Sequence, residues 1–433
     1  MTSTGKLDGV QSSSDYSITA LHIITSDGKI VDMTHMYISF NLFEDIYVPY
    51  VTGNMTIGDA LDIINTMGIH GNEYVYLELD KPSLDSPIKK FFRIYKISDR
   101  TYESQALQKY TIHFCSEEVM LSTQKQIRKS YRGMTIDNMI KDILTNQLKI
   151  DSSKMGGQFS STTGNYDIII PKMQPLEAAM WLTTRAYGDN KSIYFLFENR
   201  DGYNFVSYED LIKQPVYTKY KKAPKVDTNP ELNKNSINYI QFATEFDLLK
   251  TNRYGGYASS LYTFDIINRS FQVNTFNATQ FPDSANIRKN QSLNLNKNRF
   301  GQSMFDSTDS MVKFYPTNDS DTGRNPTRPE NWLARTAARL ANINDMKLVI
   351  NVPADFMLKV GMLIELDLPK MIPQDGAFEN DKFKSGVYMI SSVHHGITGE
   401  VASTTLELQS DGLGEALPAA IEFSGDLQDV KKK

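Results

Sequence analysis

The stretch Leu77-Glu-Leu-Asp-Lys-Pro82 returns near the other end of the chain as Ile364-Glu-Leu-Asp-Leu-Pro369, with Glu, Leu, Asp and Pro in the same places. An internal repeat constrains a fold tightly, because each copy of a duplicated unit must bury an equivalent apolar face. Neighbouring segments match in the same order. Tyr95-Lys-Ile97-Ser98 follows the first copy and Tyr388-Met-Ile390-Ser391 the second. Thr111-Ile-His-Phe-Cys-Ser116-Glu117 then answers Thr405-Leu-Glu-Leu-Gln-Ser410-Asp411. Strand alternation alone makes unrelated strands look alike, but it does not specify these polar residues in this order. Upstream, Tyr37-Ile-Ser-Phe40 and Tyr239-Ile-Gln-Phe242 are candidates for the first strands of the two units.

The periodicity predicts an α+β, mainly β fold: two antiparallel β-barrel domains, an α/β domain and an inserted loop-rich domain. Residues 1–16 are rich in Ser, Thr and Gly and read as a flexible arm. Residues 17–125 hold five period-two segments and one short helix that Asp59 caps. In 126–215 the period changes. Ile136, Met139, Ile140, Ile143 and Leu144 mark an amphipathic helix, and a second helix runs from Pro175 to Gly188. A hairpin follows, with Asn199-Arg-Asp-Gly202 as its turn. The second β domain is discontinuous, over 216–255 and 330–412, and is split by the insertion 256–329. Residues 413–433 form a tail, read either as disordered or as a segment that orders on a partner.

The function classes that remain are few. A net charge of −5 excludes a broad electrostatic grip on nucleic acid or anionic membrane. The single cysteine, Cys115, allows no internal disulfide. The N-terminus lacks a signal-peptide pattern, which implies synthesis in a cytoplasm, and no apolar run approaches the ~20 residues of a membrane span. Hydrolase, zinc-protease and phosphate-loop signatures are absent. His113 and Cys115 lie two apart on one strand without further ligands, so no metal is expected. His394-His395, before Gly396, reads as a strand end entering a loop. The acid pairs Glu44-Asp45 and Glu117-Glu118 read as solvated strand ends rather than a glycosidase pair. Lys219 to Lys225 interleaves Tyr220 with lysines; an exposed connection is preferred over a nucleic-acid contact. No catalytic residue, cofactor or metal is assigned.

A chain with two similar barrels, assembled as a trimer, presents six similar barrels in a ring. That is what an adapter between sixfold and threefold partners requires. The chain also resembles the baseplate hub proteins of contractile-tailed bacteriophages, a family related to the N-terminal region of type VI secretion spikes. The resemblance is carried by ISFNLFEDIYVPYVTGNMTIGDALDII, FFRIYKISDR, YTIHFCSEE, PLEAAMWL, LKVGMLIELDLP, SGVYMISSVHHG and TTLELQSDG. It covers most of 30–215 and 330–412. It implies tail-tube-like β domains and a non-enzymatic homotrimer in the virion's tail baseplate. Its implied partners are the tail tube protein, a separate spike protein and baseplate wedge proteins, with DNA only in transit and no membrane insertion. Two alternatives are the inner hub of a phage-derived contractile injection system and, from another class, a secreted all-β polysaccharide-active enzyme.

Glu78, Asp80, Glu365 and Asp367 all fall on the polar faces of their strands. If those faces line a channel, two acidic rings repel passing DNA; the alternative is an ordinary outer face.

Overall fold

The computed structural model describes residues 17–80, 87–104, 107–222, 235–265, 268–280, 286–287, 303, 308–317, 329–370, 379–399 and 401–412. The arm 1–16, Pro82, residues 223–234 of the Lys/Asn/Pro run and the tail 413–433 lie outside the described residues. The fold is α+β and mainly β.

The chain opens with β1 (Ser17–Ile24), β2 (Ile30–Asp32), β3 (Tyr37–Asp45), β4 (Thr52–Asp59) and helix α1 (Ile63–Met67). The Asp59 carboxylate takes the N–H groups of Leu61 and Ile63, each at 2.8 Å, from the end of β4. The N-cap position of α1 falls to Asp62 and not, as the sequence suggests, to Asp59. Then come β5 (Tyr74–Asp80), β6 (Ile88–Ser104), β7 (Leu107–Cys115) and α2 (Glu117–Thr123). The α/β portion comprises β8 (Ile127–Met134), α3 (Ile136–Asp142), β9 (Tyr166–Met173), α4 (Pro175–Thr183), β10 (Tyr194–Asn199), β11 (Gly202–Ser207) and α5 (Tyr208–Leu211). A π-helical turn, Ile143–Gln147, continues α3. Pro175 starts α4 behind a Gln174/Glu177 capping box, and the helix stops at Thr183, short of Gly188.

Next are β12 (Val216–Lys221), β13 (Tyr239–Thr244), α6 (Leu248–Arg253), β14 (Ala258–Asp265), β15 (Ser270–Asn277) and β16 (Val312–Thr317). The chain ends in α7 (Pro329–Ile343), β17 (Met346–Pro353), β18 (Leu363–Asp367), β19 (Gly386–Thr398) and β20 (Val401–Ser410). Strands β15, β14 and β16 form a sheet of their own where the sequence suggests mostly loops. Phe271, Val273 and Phe314 sit exposed on it, so burial periodicity is weak there.

Thirteen strands share one sheet, in the order β13-β17-β20-β19-β3-β4-β7-β6-β5-β1-β2, with β18 on β19 and β12 on β18. The two β units repeat one topology. The run β3-β4-β7-β6-β5 in the first is β13-β17-β20-β19-β18 in the second. The strands matched by sequence are thus equivalent, including the weak match of β3 with β13.

Register corrects the residue matching. Thr111 pairs with Thr56 and Ser98, and Thr405 with Asn351 and His394. Each long strand carries a bulge just past the same point: after Ile94 opposite Phe114, and after Ile390 opposite Leu408. Ile94 is therefore equivalent to Ile390, three positions from the sequence match of Ile97. Val75 faces Phe92 and Ile364 faces Tyr388, so Val75, not Leu77, corresponds to Ile364. The opening hexapeptides are two residues out of step.

Three cores organise the chain. One lies inside the first unit, around Leu77, Phe92, Met55 and Phe114. A second lies around Leu348, Ile390, Leu406 and Ile364 of the second unit. The third, of α3, α4 and β9, includes Ile140, Leu182 and Ile170. The β10–β11 hairpin is buried on both faces: Phe195 and Phe197 face the second core, Leu196 and Phe205 the third. Arg339 of α7, fully buried, ties these parts together. Its Nε donates to Ser192 Oγ at 3.1 Å and its Nη1 pairs with Asp411 at 3.2 Å.

Candidate functional site

At the middle of the long sheet, eight strands run without interruption from β13 to β6, four from each unit. The join is β19 on β3, with His394 opposite Phe43 and Gly396 opposite Asn41. Period-two alternation turns Phe40, Met55, Ile112, Leu348 and Leu406 into the cores. The opposite face therefore carries the intervening polar residues.

These residues bond mainly to one another. His394 Nε2 meets Asn41 Oδ1 at 2.9 Å, and the Asn41 amide donates to Asn54 at 2.9 Å. The His394 ring stacks on Phe43 with centroids 4.6 Å apart. Thr56 meets Thr111 at 3.3 Å, and the equivalent pair in the second unit, Asn351 and Thr405, bonds at 3.0 Å. His113 Nε2 is engaged by Ser98 at 2.8 Å. Burial pushes the His113 and His394 pKa values down, so both rings are neutral at pH 7. Lys347 and Glu407 pair at 3.2 Å across this face. It is polar and largely self-bonded, with Asp45 beside that pair and Lys96 of β6 and Lys109 of β7 on the same face.

Both ends of the eight-strand run are open. Strand β6 pairs with β5 only over Ile88–Arg93, so its edge beyond Ile94 has no strand partner among the described residues. Among the described residues, strand β13 pairs with β17 alone. Tyr95, Tyr102 and Tyr239 stand exposed along these two edges.

The proposed channel acids lie outside the run, on β5 and β18. Tyr76 donates to Glu78 at 2.7 Å, and Lys89 lies 3.5 Å from it. Lys219 bridges Glu365 at 2.8 Å and Asp367 at 3.6 Å. By register Asp367 corresponds to Glu78 and Glu365 to Tyr76, so the four acids are not two copies of one pair. The structure does not bring the two pairs together.

Several sequence readings change. His394 and His395 sit inside β19, not at its end, because pairing with β3 carries the strand through Gly396. Glu44 and Glu118 are buried rather than solvated. Lys154 holds Glu118 at 2.6 Å. Cys115 is buried, and desolvation raises its thiol to about 11, so it is inert as a nucleophile. Among the described residues no group of three His, Cys, Asp or Glu is placed to hold a metal ion.

The residues that sequence reasoning missed meet where the three cores adjoin. Glu44 accepts the Val360 N–H at 3.3 Å, linking the first β unit to the second. Glu198 accepts Ser116 Oγ at 2.5 Å and the Val51 N–H at 3.4 Å, linking β10 to the first unit. Desolvation raises the pKa of each to about 7. Lys90 nearby is pushed down, again chiefly by burial.

The fold is thus a twin-unit, mainly β architecture with one shared sheet face. A tail protein from Neisseria meningitidis MC58 has a similar fold, with a TM-score of 0.53 at 11% identity over 92% of this chain and 97% of that chain. A 43 kDa tail protein of prophage MuSo2 from Shewanella oneidensis aligns over 93% of this chain and 99% of its own, with a TM-score of 0.49 and 8% identity. No family model matches the chain, and no curated protein sequence matches it.

Proposed function

We propose that the chain is a structural, non-enzymatic hub of a phage-type tail baseplate. Three copies close a ring of six β units that joins a sixfold tail tube to a threefold spike. The observation that carries this reading is the internal join. Inside the chain, β19 of one unit pairs with β3 of the other. The equivalents of those two strands are β6 and β13, and within the eight-strand run these are the two whose outer edges lack a strand partner among the described residues. Repeating the internal step between molecules brings β6 of one protomer onto β13 of the next. An exposed edge is normally covered or blunted, and a closed ring removes every such edge. The fold shared with a tail protein supports the same reading.

In that ring the channel wall is the self-bonded polar face. Its Asn, Thr, Ser and neutral His side chains spend their donors on one another, so mainly Lys96 and Lys109 are left to meet phosphate, with Asp45 opposing them. DNA in transit slides past rather than sticking. The acids Glu78, Asp80, Glu365 and Asp367 flank this wall on β5 and β18 and act at most at its margin.

Size-exclusion chromatography with light scattering tests the assembly. The expected mass is three times 49.1 kDa, alone or with a spike subunit. A monomer under both conditions would overturn the reading.

A further inference from the structure

Where the three cores adjoin, the structure forms a partly open cavity of about 260 Å³. Its walls are mostly apolar, with Leu79, Ile88 and Phe92 from the first β unit and Phe356 and Ile397 from the second. A dry cavity of about 150 Å³ already accepts benzene, so there is room here for a ring and a substituent. Glu44, Glu198 and Lys90 also line it.

Glu44 and Glu198 are each 4% exposed. Both hydrogen bonds to Glu198 go to Oε2, and no protein donor reaches Oε1 among the described residues. The neighbouring cations are engaged elsewhere: Lys154 with Glu118, Lys359 with Asp201 and Lys89 with Glu78. No Lys or Arg nitrogen comes within 4.0 Å of either carboxylate among the described residues.

We propose that this cavity is a binding site for a small amphipathic amine, its apolar body against Ile88, Phe92 and Phe356 and its ammonium held between Glu198 and Glu44. Lys89, Lys154 and Arg200 also line the cavity, but they pair with Glu78, Glu118 and Asp201, so an anionic ligand meets two carboxylates and, among the described residues, Lys90 as the cation without an ion pair. A neutral apolar ligand fills the volume but leaves both carboxylates desolvated and uncompensated. An ammonium supplies the missing donors to Glu198 Oε1 and the missing positive charge together. Pockets of this kind, apolar with a few convergent polar groups at a junction of domains, are the usual form of small-ligand sites. The two raised carboxyl pKa values fit an anion site waiting for its cation.

Isothermal titration of the full chain with cyclohexylammonium, cyclohexanol and cyclohexanecarboxylate, near neutral and alkaline pH, tests this. The amine is expected to bind about tenfold or more tightly than either comparator. Its affinity should rise with pH through about 7 as the carboxyls ionise, with proton release on binding. Glu198→Gln should weaken the amine about tenfold and leave cyclohexanol unchanged. Ile88→Trp should fill the cavity and remove all binding. Equal binding of cyclohexanol and the amine would reduce the site to an apolar void, and so overturn the proposal. So would absence of amine binding at millimolar concentration, or full amine affinity in a folded Glu198→Gln chain.

Discussion

Replacing Glu198 by Gln should stabilise the protein at alkaline pH, against the usual expectation for a buried, hydrogen-bonded side chain. Gln keeps an acceptor for Ser116 Oγ and the Val51 N–H, the two bonds that Glu198 makes. What it removes is a charge that the junction disfavours. The Glu198 pKa rises from 4.5 to about 7, first through desolvation and then through Glu118. A carboxyl raised in this way binds an extra proton in the folded state. Its contribution is fully present below about 4.5 and is lost as pH rises through about 7. At ~1.4 kcal/mol per pH unit, a rise from 4.5 to about 7 amounts to at most about 3.5 kcal/mol above pH 7. Glu44 behaves alike, with its pKa raised to about 7, and Glu198 itself is among the causes. Urea unfolding of wild type, Glu198→Gln, Glu44→Gln and the double variant, near pH 4 and near pH 8, measures the effect. Each variant should match wild type in acid and exceed it by about 1–3 kcal/mol in alkali, the double gaining less than the sum because the two sites interact. Variants that are weaker than wild type near pH 8 would show that the ionised carboxylates hold the junction together, and the reasoning would fail.

Arg339→Met leaves Asp411 and Glu209 buried without their cation, since the Nη atoms lie 3.2 Å and 3.9 Å from those carboxylates. The expected cost is about 3–5 kcal/mol by urea titration, partly recovered by adding Asp411→Asn; an unchanged midpoint would deny the clasp its role. Gly53→Ala places a Cβ 2.3 Å from the Phe114 ring and 2.6 Å from the Asn41 carbonyl oxygen, which is backbone and cannot swing aside. It should lower stability by about 1–3 kcal/mol, and a melting temperature equal to wild type would contradict the close packing of β3, β4 and β7.

The duplicated unit was legible in the sequence because strand order survives where residue matches do not. Polar residues such as Thr111 and Thr405 mark equivalent positions on β7 and β20. The register was not legible. Side chains alternate with period two, so a slip of two residues keeps every apolar residue facing the core, and the hexapeptide match is such a slip. On β6 and β19 the offset is odd, because the bulges reset the alternation after Ile94 and Ile390. The junction residues were illegible for a different reason. Glu44 ends a strand whose polar neighbours are half-buried, and only residues some 150 and 320 positions away, at Glu198 and Val360, seal it from water. Glu198 sits in a hairpin that reads correctly as strand–turn–strand, but its burial on both faces comes from two cores that local periodicity does not report.

The ring rests on one contact that a single cross-link can read. The internal pair His394–Phe43 has Ser98 and Thr244 as its equivalents, so Ser98 of one protomer should lie opposite Thr244 of the next. Facing residues in an antiparallel pair have Cα atoms about 4.5–5.5 Å apart, within the span of a disulfide. A chain carrying Ser98→Cys, Thr244→Cys and Cys115→Ser, oxidised and run without reductant, should form a covalent trimer that collapses to monomer on reduction. A product that stays monomeric under oxidation, while the unmodified chain is trimeric in solution, would contradict closure through β6 and β13.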